Sequence, residues 1–159
     1  MSNDQEILEL IEIWFAALKD TSNPDTVTAL YDDKAVLVPT LWNGPCFGKK
    51  AIRNYFEVAF LPVEPRGYVI NYSIERREDV AINSGHYVFN IKDCQKEEHL
   101  AAAGGLCNDD RVEKMARFTF VYRLDKPKNQ WLIIAHHSSK MPEEHSTQVI
   151  RWVKSESFV

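Results

Sequence analysis

The chain has 159 residues, 45% of them hydrophobic and 26% charged, with a formal net charge of −4. This composition excludes disordered, collagen-like and disulfide-rich classes, and the acidic balance gives no general pull toward nucleic acid or anionic membrane. No apolar run approaches the ~20 residues of a membrane span, and the acidic start is not a signal peptide. Three cysteines, Cys46, Cys94 and Cys107, cannot all pair, so a reduced, cytoplasmic chain is expected.

The first predicted element is a helix. Ile7, Leu8, Ile11, Trp14, Phe15 and Leu18 recur at three- and four-residue spacing and make one apolar stripe. Ser2 with Gln5, or Asn3 with Glu6, fits a capping box at its start. A second short helix opens at Asn23-Pro24-Asp25, with Val27, Leu30 and Tyr31 as its inward face. Ala35 to Val38 reads as a short buried strand stopped by Pro39. After a loop from Leu41 to Gly48, a third helix carries Ala51, Ile52, Tyr55, Phe56, Ala59 and Phe60, and Pro62 and Pro65 end it.

After Gly67 the period changes to two. Tyr68 to Glu75 predicts a strand, Glu75 to Asp79 a turn, and Val80 to Lys92 a second strand. Residues 93–110 are polar, contain Gly104-Gly105 and read as a long hairpin connection or lobe. Ala116 to Leu124 and Trp131 to Ser139 predict two further strands around a turn with Pro127 and Asn129. Helices followed by a run of antiparallel strands define an α+β domain, a curved sheet wrapped on N-terminal helices. One domain over 1–145 is expected, with 146–159 as a C-terminal tail. The tail's Val149, Ile150, Trp152 and Val153 suit packing on its own domain or on a neighbouring subunit.

Ala116-Arg117-Phe118-Thr119-Phe120-Val121-Tyr122, followed by Trp131-Leu132-Ile133-Ile134-Ala135-His136-His137-Ser138-Ser139-Lys140-Met141-Pro142, resembles the association (hub) domain of calcium/calmodulin-dependent protein kinase II. That family lies in the nuclear transport factor 2-like, or SnoaL-like, superfamily. Gly48 with Ile52-Arg53-Asn54-Tyr55-Phe56, and Gly85-His86-Tyr87-Val88-Phe89, add to the resemblance, which spans roughly 5–142. It implies a cone-shaped, cystatin-like fold around a pocket, and homodimers or larger rings. It implies no kinase activity, because no Gly-rich phosphate loop, His-Arg-Asp or Asp-Phe-Gly is present. The family's pocket arginines correspond here to Phe89, Thr119 and Ser138.

Alternation sorts the last two strands into faces. One carries Arg117, Thr119, Val121, Ile134, His136 and Ser138. The other carries Phe118, Phe120, Tyr122, Leu124, Trp131, Ile133, Ala135 and His137. The resemblance points the Arg117 face into the pocket and the aromatic face toward another sheet or subunit; a bulge would exchange part of this assignment. Arg117 then reads as the binder of a small carboxylate ligand, or as the partner of an internal Glu113, Asp32 or Glu57. His136 reads as a pocket base or donor, or as a hydrogen-bonded sheet histidine; His137 reads as an interface residue. Trp42, Tyr55 and Tyr31 suit the pocket mouth, or fill core. Cys94, His99, Cys107, Asp109 and Asp110 match no standard zinc spacing, so no metal and no cofactor is expected.

Two functions follow. One is a non-catalytic, homo-oligomerising module whose pocket takes a small acidic ligand. The other is a small-molecule enzyme of the SnoaL or ketosteroid isomerase type (cyclase, isomerase or dehydratase) that uses His136. The predicted inward strand face offers no carboxylate, which weakens proton abstraction next to a carbonyl. Neither nucleic acid nor membrane is expected as a partner.

Overall fold

The structure is a computed structural model that describes residues 3–92 and 111–142. The 93–110 connection and the tail beyond Pro142 lie outside the described residues.

Helix α1 spans Asn3–Ala17. Its stripe works as the spacing predicts: Ile7, Ile11, Trp14, Phe15 and Leu18 are buried. The expected reach of Glu6 back to the helix start gives way to tertiary contacts. Its carboxylate accepts from Arg76 Nη1 at 2.6 Å and Trp131 Nε1 at 3.1 Å. Helix α2, Pro24–Thr28, is capped by Asn23, whose side chain accepts from the Asp25 N–H at 3.0 Å.

Strand β1 runs Tyr31–Val38, longer than the predicted Ala35–Val38. Tyr31 is therefore a strand residue and not a helix face. The cause is long-range pairing, which starts where the Ile133 N–H donates to the Leu30 carbonyl at 2.9 Å. A two-residue strand β2, Cys46–Phe47, precedes helix α3, Gly48–Tyr55. The predicted third helix does not continue as an α-helix to Phe60. It widens into a π turn at Phe56–Phe60 and ends in a 3₁₀ turn at Leu61–Val63. Phe56 and Phe60 both enter the core.

Strands β3 (Arg66–Arg76), β4 (Val80–Lys92), β5 (Arg111–Asp125) and β6 (Gln130–Lys140) follow. Together with β1 and β2 they form one six-stranded sheet in the order β2-β1-β6-β5-β4-β3. The expected antiparallel run is thus part of a mixed sheet, in which β1 lies parallel to β6. The sheet is curved and unclosed, and α1 packs on its concave side.

Two bulges set the faces. Between Val69 and Asn71 of β3 the register slips by one residue opposite Tyr87 and His86. The Asn71 side-chain carbonyl holds the slip by accepting from the His86 N–H at 3.0 Å. The bulged strand crowds Gly85, where a Cβ would lie 2.0 Å from the Asn71 carbonyl oxygen. The second bulge leaves Ile134 unpaired, because Val121 faces Ala135 while Tyr122 faces Ile133.

Candidate functional site

The Ile134 bulge decides what lies inside. Alternation along β5 turns Phe118, Phe120 and Tyr122 to the concave side, where all three are buried. On β6 the extra residue exchanges the phase. Trp131 and Ile133 face inward before the bulge, and His136 and Ser138 face inward after it, opposite Phe120 and Phe118. The aromatic face is therefore the interior of the cone and not an outer face. Arg117 and Thr119 lie on the convex side, which corrects the expectation that they line the pocket.

Trp14 is the hub of the interior. Its ring centroid lies 5.2 to 6.5 Å from those of Phe15, Phe56, Phe60, Tyr87, Phe89, Phe120 and His136. Its Nε1 donates to Tyr31 Oη at 3.1 Å, and Tyr31 Oη lies 2.9 Å from His136 Nδ1. The proton bookkeeping of this chain is restrictive. Tyr31 Oη already accepts from tryptophan, and its own proton has one acceptor in reach, His136 Nδ1. The imidazole proton is thereby assigned to Nε2, which is buried and has no hydrogen-bond partner.

The His136 ring stacks on Phe120 at 3.9 Å between centroids. Burial in this apolar stack, with His137 adding a smaller push, lowers its pKa to about 3. At neutral pH it is an uncharged donor and a poor base. Burial also raises the Tyr31, Tyr87 and Tyr122 hydroxyls above the ordinary tyrosine value, so the interior phenols stay protonated. Asn83 sits on β4 in the same cross-strand row as Phe120 and His136. Its amide is fully buried and unpartnered, as is the Tyr122 hydroxyl. Among the described residues the buried polar or charged side chains outside the tyrosines and tryptophans are Thr28, Asn83 and His136.

Toward the opposite end of β6, Tyr87 Oη donates to Ser138 Oγ at 2.5 Å, and Ser138 Oγ lies 2.6 Å from Thr40 Oγ1. Trp42 meets Tyr55 edge-on at 5.3 Å beside this hydroxyl row, and Tyr55 stacks on Phe60. Of the residues expected at a site, His136, Ser138, Tyr55 and Trp42 thus belong to the concave side. Tyr31 sits deep in it instead of at the mouth.

Arg117 and Thr119 are not part of that group. Arg117 is exposed and donates to Ser139 Oγ at 3.1 Å and to the Lys140 carbonyl at 3.2 Å. It pairs with none of the carboxylates considered for it: Asp32 is held by Arg123 and Glu57 by Arg53. Thr119 shares a 2.9 Å hydrogen bond with Ser84 on the outer face. Sequence reasoning missed Trp14, Tyr87, Asn83 and Thr40 as members of the interior network. Inward strand position could have flagged Tyr87 and Asn83, but no local signal brings Thr40 to Ser138. Among the described residues no three histidine, cysteine or acidic side chains cluster as a metal site.

An N-terminal helix lying in a curved six-stranded sheet is the architecture of the nuclear transport factor 2-like, cystatin-like α+β class. The nuclear transport factor 2-like superfamily protein of Salmonella enterica serovar Typhimurium shares it at TM-score 0.68 and 16% identity, over 87% of this chain and 91% of that one. The chain belongs to the calcium/calmodulin dependent protein kinase II association domain family, whose description matches residues 3–142. A Xanthomonas campestris protein, provisionally named as such an association domain, is 33% identical over 90% of this chain and 91% of its own, with TM-score 0.76. A Streptomyces avermitilis protein provisionally named a dehydratase shares the fold alone, at 13% identity and TM-score 0.67 over 87% of this chain and 95% of that one. No curated protein sequence matches the chain.

Proposed function

We propose that this chain is a self-associating module and not a catalyst. The observation that carries the reading is a row of aliphatic side chains across the convex face. Ile82, Val121, Ala135 and Val36 are cross-strand partners on β4, β5, β6 and β1, and none of them is buried. Ile82 is 39% exposed, and Phe47, the β2 partner of Val36, is 71% exposed and carries the row onward. Such a row, uncovered by any described helix, suits burial against a second copy. Family membership supports the same reading.

The enzyme reading finds less support. A base must be within reach of a proton and hold a pKa near the working pH. His136 is buried, bonded through Nδ1 and shifted to about 3. The small-acid ligand is not part of the proposal, because the Arg117 fork lies on the exposed side.

The test is absolute mass by light scattering behind a sizing column, at low and molar salt, for the native chain and Ile82→Glu. A native dimer or larger assembly that loses mass in the variant supports the proposal. A native monomer at micromolar concentration overturns it.

A further inference from the structure

A groove of about 340 Å³ opens between α1 and the start of β6, at the opposite end of the strands from Thr40 and Ser138. Its walls are mainly apolar: Leu10 and Ile13 from α1, Leu30, and Ile133. Ile13 is 49% exposed and shares the trough with Leu10, Leu30 and Ile133, so the exposed apolar surface is contiguous. The rim is acidic. Glu6 is ionised by its bonds to Arg76 and Trp131, and Glu9 has no ion pair among the described residues. Arg76 offsets Glu6, which leaves Glu9 as the unbalanced charge beside an apolar trough.

The sequence contains a segment of opposite character. Within residues 143–159, outside the described residues, Val149-Ile150-Arg151-Trp152-Val153-Lys154 combines four apolar side chains with two cations and no anion. We propose that this segment docks in the α1–β6 groove of a neighbouring copy, with its apolar side chains in the trough and its cations toward Glu9. The inference rests on the association reading above.

Reach argues for the neighbour. The ten residues from Pro142 to Trp152 span at most about 36 Å when fully extended. The groove lies at the Trp131 end of β6, whereas the tail leaves from the Lys140 end. Returning along the strand from Lys140 to Trp131 uses about 30 Å of that span. Almost nothing is left for reversing direction after Pro142. A second copy can present its groove anywhere within the tail's range.

The experiment uses full-length chains with Cys94→Ser and Cys107→Ser. Ile13→Cys is placed in one chain and Val153→Cys in another, with the two co-expressed under different tags. A disulfide between these sites can form only between copies. The expected result is a cross-linked heterodimer on oxidation, reduced at least about 10-fold by Trp152→Ala in the tail-bearing chain, as for a buried aromatic anchor. Glu9→Lys is expected to weaken the cross-link about 2- to 5-fold, the range of a partly exposed ion pair. An assembled protein that gives no cross-link overturns the docking and leaves association standing. Cross-linking only when both cysteines share one chain overturns the neighbouring-copy arrangement. A native monomer overturns both readings.

Discussion

The Trp14–Tyr31–His136 chain makes a pH prediction that can be worked through. His136 is neutral when folded, with a pKa of about 3 against an ordinary value of 6.5. A depressed histidine binds fewer protons folded than unfolded, so stability rises with pH across the interval between those two values. Above 6.5 its contribution is fully present; from there down to about 3 it is lost progressively. Linkage over that interval gives a loss of about 2 kcal/mol between pH 7 and pH 5. That corresponds to a fall of about 4–8 °C in Tm for a domain of this size. Glu6, Asp32 and Glu64 also have lowered pKa values, but theirs are carboxylates, whose stabilisation is lost only below their unfolded values near 4. His86, lowered by burial and then by Arg117, acts in the same direction as His136 and is present in both chains compared below. The assay is urea denaturation at pH 7 and pH 5 for the native chain and for His136→Asn, which keeps an acceptor near Tyr31 Oη. The variant is less stable at pH 7 but has most of the pH 7-to-5 slope removed. Equal slopes, or an imidazole NMR titration of His136 centred near 6.5, would refute the reasoning.

Three further outcomes follow from the same packing. Tyr31→Phe leaves Trp14 Nε1 and His136 Nδ1 buried and unpaired, and should cost about 1–3 kcal/mol for each orphaned group in chemical denaturation. Gly85→Ala drives a methyl into the Asn71 backbone and should destabilise strongly, by more than about 2 kcal/mol, with the β3 amides losing hydrogen-exchange protection first. Asn23→Ala should cost about 1 kcal/mol through loss of the α2 cap, read as a lower denaturation midpoint at unchanged slope.

Helix α1 was legible because its periodicity is long and uninterrupted, and its apolar stripe lies on the buried side. Strand β4 spans Val80–Lys92 as expected, although Gly85 interrupts its alternation and Tyr87, Val88 and Phe89 are buried in succession. The α2 cap was legible because Asn23-Pro24 acts within one turn. The interior was harder. Alternation separates two faces without saying which is concave, and β5 offers Phe118, Phe120 and Tyr122 on one face and Arg117 and Thr119 on the other. Family resemblance pointed the polar face inward, whereas the buried aromatic area decided it the other way. The Ile134 bulge then moved His136 and Ser138 onto the aromatic side, and no residue in Ile133-Ile134-Ala135 marks it. The Tyr31 extension of β1 was hidden for a different reason: its partners lie about a hundred positions away in sequence.

That parallel β1–β6 pairing also orders the events of folding. Val36 faces Ala135 across 99 intervening steps of chain, whereas β5 and β6 are joined by a tight turn. Loop-closure entropy opposes the first contact far more than the second. The β5–β6 hairpin is therefore placed in the nucleus, with β1, α1 and α2 docking late and the Trp14 ring arriving last against rows already paired. Substitutions in α1 should then chiefly speed unfolding, while those in the hairpin slow folding, and a chevron analysis of Trp14→Phe against Phe120→Leu distinguishes the two.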